Sequence, residues 1–158
     1  MKTQAQLLVL AQFILFVLLA GALFLLPAEQ VGWVRLVGIA LAVAGLFIIG
    51  LSVLTHFQVN RALVNVSPEP NASNRLVQSG IYGFIRHPIY SGVMLAGFGA
   101  ALAHGHIAGI GITLVLCAFF AYKSTFEERW LSQVYSEYAE YRSRAGRFWP
   151  KLNRPTSS

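Results

Sequence analysis

The chain has 158 residues, of which 56% are hydrophobic and only 11% charged, and its mean hydropathy is +0.59. Soluble domains carry about a quarter charged residues, so this composition excludes both a soluble globular protein and a disordered chain. Twelve Lys and Arg against six acids, all glutamate, give a net charge of +6, and a single cysteine excludes a disulfide scaffold or a thiolate metal site.

Residues 7–26 carry no charge and one polar side chain, Gln12, and they stop at Pro27. At about 1.5 Å per residue a helix over this run covers the roughly 30 Å hydrocarbon layer. The run is too long for the apolar region of a signal peptide, about 7–15 residues, and it continues past Ala20-Gly21-Ala22, where cleavage would fall. Residues 36–54 form a second uncharged run, in which Gly38, Ala42, Ala44 and Gly45 allow close approach of another helix. Residues 89–103 and 107–122 are shorter apolar runs separated by His104-Gly105-His106, which predicts a tight helical hairpin. Lipid offers no partner to an open strand edge, so the prediction is an all-α integral membrane protein with four transmembrane helices. With the N-terminus cytoplasmic, eleven of the twelve basic residues lie inside and Arg35 alone lies outside. That asymmetry places residues 55–88 and 123–158, and both termini, on the cytoplasmic side, and it accounts for the basic balance through membrane lipids with no nucleic acid.

In residues 58–80, Pro68, Pro70, Asn71 and Ser73 predict a turn-rich loop. Pro88 suits the first turn of a helix, where its missing N–H has no intrahelical partner, so Arg86 and His87 sit at the mouth of the third membrane helix. The plainer alternative is a basic anchor at lipid headgroups, with Tyr82 and Tyr90 in an aromatic belt. Residues 124–144 contain no Gly or Pro, and Trp130, Leu131, Val134, Tyr135, Tyr138 and Tyr141 recur at helical spacing. They predict a cytoplasmic amphipathic helix opened by Glu127 and Glu128, with a merely interfacial helix as the alternative. Lys123 and Glu127 share a face as an i, i+4 pair, and Glu128 points about 100° away as a solvated acid. Residues 1–150 form one domain and residues 151–158 a disordered tail.

Gly-Ile-Tyr-Gly-Phe-Ile-Arg-His-Pro-Ile-Tyr-Ser-Gly (80–92), the apolar hairpin, Glu-Glu-Arg-Trp-Leu (127–131) and Tyr-Ser-Glu-Tyr-Ala-Glu-Tyr (135–141) together resemble one family. It is the isoprenylcysteine carboxyl methyltransferase family, within the wider group that includes phospholipid N-methyltransferases, and the resemblance covers residues 55–150. It implies a membrane enzyme that takes its methyl group from S-adenosylmethionine. By the same resemblance, Asn74, Arg75, Leu76 and Val77 lie along the cofactor, and Tyr82, His87, Pro88, Ile89, Tyr90 and Glu127 touch it. The family's arginine one turn before the glutamates orients the acceptor carboxylate, and Lys123 stands there in this chain. Lysine keeps the charge and loses the planar two-pronged grip. The implied acceptor is lipophilic, isoprenylcysteine-carboxylate-like or phospholipid-amine-like, and enters from the bilayer at the cytoplasmic face of a bacterial or archaeal plasma membrane.

The residue types agree with part of this on chemical grounds. S-Adenosylmethionine needs an acid for its cationic end or ribose, cations or N–H groups for its carboxylate, and an apolar slot for adenine. Glu127, Arg86 with the helix N-terminus at Pro88, and Tyr82 or Phe84 supply these types. Methyl transfer is an in-line displacement, so positioning does most of the catalysis and Arg86, His87 and Lys123 are the catalytic candidates. A carboxylate acceptor needs no base, whereas an amine or phenol does, with His87 nearest at neutral pH. His56, His104 and His106 do not gather into a metal set, and Cys117 reads as packing. The lack of a GxGxxG or P-loop pattern excludes a soluble Rossmann methyltransferase. Two rival functions are an NADPH-dependent membrane sterol or enone reductase and a non-catalytic membrane adaptor with a basic tail.

Overall fold

The computed structural model of the chain describes residues 2–29, 32–62, 64–65 and 75–151. In chain order it contains α1 (Lys2–Leu25), α2 (Trp33–Asn60), a 3₁₀ turn (Gly80–Gly83), α3 (Pro88–His104), α4 (Ile107–Val134) and α5 (Tyr138–Arg144). Among the described residues no strand forms, and the single extended pairing is an isolated parallel bridge between Ile85 and Gly146.

The helix ends follow from local chemistry. α1 stops just short of Pro27, whose ring disfavours helical backbone in the residue before it. α2 runs on past residue 54 to Asn60 and closes on Arg61 in the left-handed region, φ 52°, with the Arg61 N–H on the Phe57 carbonyl at 2.8 Å. α3 begins at Pro88 with His87 as its N-cap residue, as the proline predicts. Gly105, φ 87°, then turns the chain into α4, and the His106 ring accepts the Ala108 N–H at 3.2 Å. His104 meets the Leu26 carbonyl at 3.2 Å, so these histidines serve the joint between α1, α3 and α4.

α1, α2 and α4 are long and apolar enough to cross a membrane. Their surfaces carry outward-facing Phe13, Val17 and Phe24 on α1, Leu36, Val43 and Phe47 on α2, and Leu114 and Val115 on α4. Apolar surface of that extent belongs in lipid, so this is a membrane protein. α3 has the composition of its neighbours in 17 residues, a length of about 25 Å. Of the four expected spans, three therefore have the length and composition to cross a membrane, and α3 is shorter than that.

α2 and α3 make the closest pairing in the molecule. Their backbones touch through glycine: a Cβ built on Gly45 would lie 2.6 Å from the Gly92 carbonyl oxygen, and one on Gly99 2.6 Å from that of Gly38. Small residues supply this contact because apolar side chains gain little by leaving lipid for a neighbouring helix. Gly45→Ala is therefore expected to lower the melting temperature of the detergent-solubilised protein, at a cost of about 1–3 kcal/mol from overpacking. Gly50→Ala, on the same helix with open space around its Cβ position, should be neutral or mildly stabilising. Opposite this seam, α1 packs on α4 and α3 through Leu19, Leu116 and Phe120.

Two expectations about the C-terminal half need correction. Residues 124–144 are not a separate amphipathic helix: α4 continues without a break to Val134, Tyr135 is extended, and a short α5 follows. With no Gly or Pro between residues 112 and 145, nothing in the chain stops α4 where its hydropathy falls. Glu127 and Glu128 therefore lie inside a helix, and the favourable dipole of a first turn does not act on them. Pro68, Pro70, Asn71 and Ser73, and residues 152–158 of the expected tail, lie outside the described residues.

Candidate active site

The two polar segments meet where α2 ends and α3 begins. Residues 84–87 run beside residues 145–148: Gly146 N–H bonds the Phe84 carbonyl at 3.0 Å, Arg86 N–H the Gly146 carbonyl at 2.8 Å, and His87 N–H the Arg147 carbonyl at 3.0 Å. The Ser91 hydroxyl donates to the Phe148 carbonyl at 2.8 Å, and the Tyr141 hydroxyl to the Tyr82 carbonyl at 2.7 Å. Gly146 has no room for a side chain, because a Cβ there would collide with the Trp149 carbonyl. Tyr138, Tyr141 and Ala145 form the apolar floor of this strap, with Leu76, Leu131 and Tyr135 against them.

Glu128 is the hub of the region and is buried, at 4% exposure. Its Oε1 accepts from Arg86 Nη2 at 2.9 Å and Nε at 3.1 Å, and its Oε2 accepts from Arg147 Nη2 at 2.9 Å. The His87 Nε2 lies 3.2 Å from the same carboxylate. Arg86 spends its remaining nitrogen, Nη1, on the carbonyls of Arg142 and Ala145. The expected solvated Glu128 is thus overturned, because one arginine from before α3 and one from the C-terminal strap fold over it. Arg86 is correspondingly turned into the protein, toward the strap.

Glu127 occupies the adjacent face of α4, and its Oε2 lies 3.5 Å from His87 Nδ1. The His87 imidazole therefore stands between two carboxylates. Burial works against its charged form, but the Glu127 and Glu128 carboxylates beside it prevail and move its pKa above the ordinary value. Its ring stacks on Tyr90 at 5.4 Å between centroids, and Tyr90 leans on Phe120 at 4.6 Å. Burial and the Glu127 charge both push the nearby Tyr82 phenol far up, so that it remains a neutral O–H. One turn before Glu127, Lys123 is wholly buried, with its Nζ 5.5 Å from the Tyr90 ring centroid and bonded to the Gln12 side-chain oxygen of α1.

Tyr82, His87, Tyr90, Lys123 and Glu127 thus come together, with Arg86 behind them. Pro88 and Ile89 form the first turn of α3, with Pro88 buried. Arg75 is exposed and pinned by its backbone to the Asn60 side chain, at 2.7 and 3.2 Å. Leu76 lies on the tyrosine cluster, Val77 is buried, and Asn74 lies outside the described residues. Phe84 is exposed, which leaves the half-buried Tyr82 as the better wall for a flat ring. Sequence reasoning missed Arg147 and Gln12 as members of the cluster. Gln12 did have a signal, as the one polar residue in the first apolar run.

The Glu127 Oε2 is buried and has no hydrogen-bond partner among the described residues. A carboxylate oxygen in that state accepts a hydroxyl or ammonium proton from a ligand, which is the chemistry the ribose or ammonium end of S-adenosylmethionine presents.

Residues 33–138 match the phospholipid methyltransferase family. Protein-S-isoprenylcysteine O-methyltransferase B of Arabidopsis thaliana is 26% identical over 137 residues, which cover 85% of this chain and 68% of that protein. The probable protein-S-isoprenylcysteine O-methyltransferase of Oryza sativa subsp. indica is 29% identical across 78% of this chain and 64% of its own length. The protein-S-isoprenylcysteine O-methyltransferase of Schizosaccharomyces pombe is 32% identical over 50% of this chain and 34% of that protein. The match to the plant relatives thus takes in about two thirds of their length, and the match to the yeast relative about one third.

Proposed function

The chain belongs to the phospholipid methyltransferase family, and from that membership we propose that it moves a methyl group from S-adenosylmethionine to a lipophilic acceptor arriving from the bilayer. The observation that carries this reading is the buried Oε2 of Glu127, which accepts no hydrogen bond among the described residues and lies 3.5 Å from His87 Nδ1, set beside Tyr82 and Tyr90. When bound, S-adenosylmethionine supplies an electrophilic methyl, whose bond to sulfur breaks toward sulfur as the acceptor's lone pair forms the new bond. Glu127 holds the hydroxyl or ammonium end of the donor, and Tyr82 and Tyr90 wall the flat ring. His87, stacked on Tyr90 and braced by two carboxylates, fixes the wall on which the donor lies. Carboxylates on both sides of His87 favour its charged form, which cannot accept a proton, so this arrangement suits an acceptor that needs no base.

In this reading α3 is the fourth span and the site faces the cytoplasm, where the soluble donor is found. The far end of the bundle supports the arrangement: the Glu29 N–H bonds the His104 carbonyl at 2.8 Å, tying the end of α1 to the turn between α3 and α4. Positive-inside asymmetry then assigns the strap end to the cytoplasm.

Calorimetric titration of the detergent-purified full chain with S-adenosylhomocysteine tests the donor. Micromolar-range affinity is expected, with a rise in melting temperature equivalent to about 2.7 kcal/mol at a hundredfold excess over Kd. A melting curve unmoved by millimolar S-adenosylhomocysteine overturns the reading, and binding of NADPH in its place turns it toward a reductase.

A further inference from the structure

Asn60, the last residue of α2, meets the backbone of Arg75 with both halves of its amide, 15 positions along the chain. Its Oδ1 accepts the Arg75 N–H at 2.7 Å, and its Nδ2 donates to the Arg75 carbonyl at 3.2 Å. The same Nδ2 lies 3.4 Å from His56 Nε2, one turn back on α2, and His56 Nδ1 lies 3.2 Å from the Ala62 carbonyl. A carbonyl takes only a donor, so the neutral ring carries its proton on Nδ1 and presents Nε2 as an acceptor. His56 thereby fixes which end of the amide is nitrogen, and with it the pairing to Arg75. Residues 75–79 have no helix or strand of their own, so their shape depends on such side-chain holds. Val77 is buried, Leu76 lies on the tyrosine cluster, and the Gln78 side-chain oxygen accepts from Arg144 Nη2 at 3.0 Å. Gly80, φ 54°, then passes so near α2 that a Cβ there would lie 3.1 Å from the Thr55 side chain. Two residues later the chain reaches Tyr82, beside Glu127.

We propose that Asn60 is a positioning residue for the methyl donor: by holding the Arg75 backbone it keeps residues 75–79, and Tyr82 beyond them, in the shape that receives S-adenosylmethionine before the ligand arrives. The inference rests on the methyltransferase reading, in which residues 75–77 lie along the donor, and adds a residue that acts through the backbone of another. Irregular backbone released from its hold samples other shapes. The ligand must then order it on binding, and the cost of that ordering is taken from the affinity.

Two variants test this. Asn60→Ala removes both bonds, and Asn60→Asp keeps the acceptor for the Arg75 N–H but turns a second acceptor toward the Arg75 carbonyl. The full chain in micelles is titrated calorimetrically with S-adenosylhomocysteine, and backbone hydrogen exchange over residues 75–79 is followed with and without that ligand. Asn60→Ala is expected to bind about tenfold more weakly, the loss of two partly solvated hydrogen bonds. Its residues 75–79 should exchange faster than in the wild type when the site is empty, and regain wild-type protection at saturating ligand. Asn60→Asp should lose affinity in the same direction and by less. Gln58→Ala, exposed on the same helix end, should match the wild type in both measurements. A merely structural Asn60 would lower the melting temperature of the empty protein and leave the affinity alone. Wild-type affinity in either Asn60 variant overturns the proposal, as does weaker binding with residues 75–79 as protected as in the wild type. Failure of the wild type to bind S-adenosylhomocysteine is a separate result, which removes the methyltransferase reading itself.

Discussion

Replacing Glu128 by alanine is expected to cost about 3–5 kcal/mol of stability and to release the C-terminal strap, because it strands buried cations without their counter-charge. The Arg86 side chain is 7% exposed and the His87 side chain 4%, so neither can turn to water when the carboxylate is lost. Arg86 also binds the Arg142 and Ala145 carbonyls, so its displacement carries the strap with it. Limited proteolysis should then cut within residues 142–151 of the Glu128→Ala protein under conditions that spare the wild type. Arg147→Ala should cost less, since that side chain is 33% exposed and its loss leaves Arg86 and His87 on the carboxylate. Glu128→Gln falls between them, because one of its two terminal atoms becomes a donor facing the arginine or imidazole donors already there. Intact thermal stability in Glu128→Ala would show that the strap is held by the tyrosine cluster alone.

Much of the fold was legible because its causes are local. Charge-free runs mark helices in lipid, Pro88 opens α3, and Gly105 between two histidines turns it into α4. The i, i+4 spacing of Lys123 and Glu127 also proved informative, since both side chains come beside Tyr90. The burial of Glu128 was not legible. Its partners stand 42 and 19 residues away, and the parallel seam between residues 84–87 and 145–148 that folds them over it has no periodic signature. The continuity of α4 was present in the sequence, as a stretch free of Gly and Pro. The drop in hydropathy at Lys123 hid it, because hydropathy reports the solvent around a helix and not whether its backbone continues. Gln12 stood out as a break in an apolar run, but its partner lies 111 residues further on and only tertiary packing brings the two together.

The two adjacent glutamates should separate cleanly by experiment. Glu127→Gln is expected to lower S-adenosylhomocysteine affinity roughly ten- to a hundredfold, the loss of a charged acceptor for a ligand donor. Its effect on stability should be small: the Glu127 side chain is 26% exposed, and its buried Oε2 accepts no hydrogen bond among the described residues. His87, its ion-pair neighbour, keeps Glu128 on its other nitrogen, so the ring stays where Tyr90 needs it. Glu128→Gln should show the opposite pattern, a clear fall in melting temperature and a smaller change in affinity at temperatures where the strap is still closed. Measuring both quantities on both variants distinguishes a ligand-binding carboxylate from a strap-holding one, since each predicts a large effect where the other predicts a small one. Parallel losses in both would mean that the strap and the donor site form one cooperative unit, with the His87 ring coupling them through its two nitrogens.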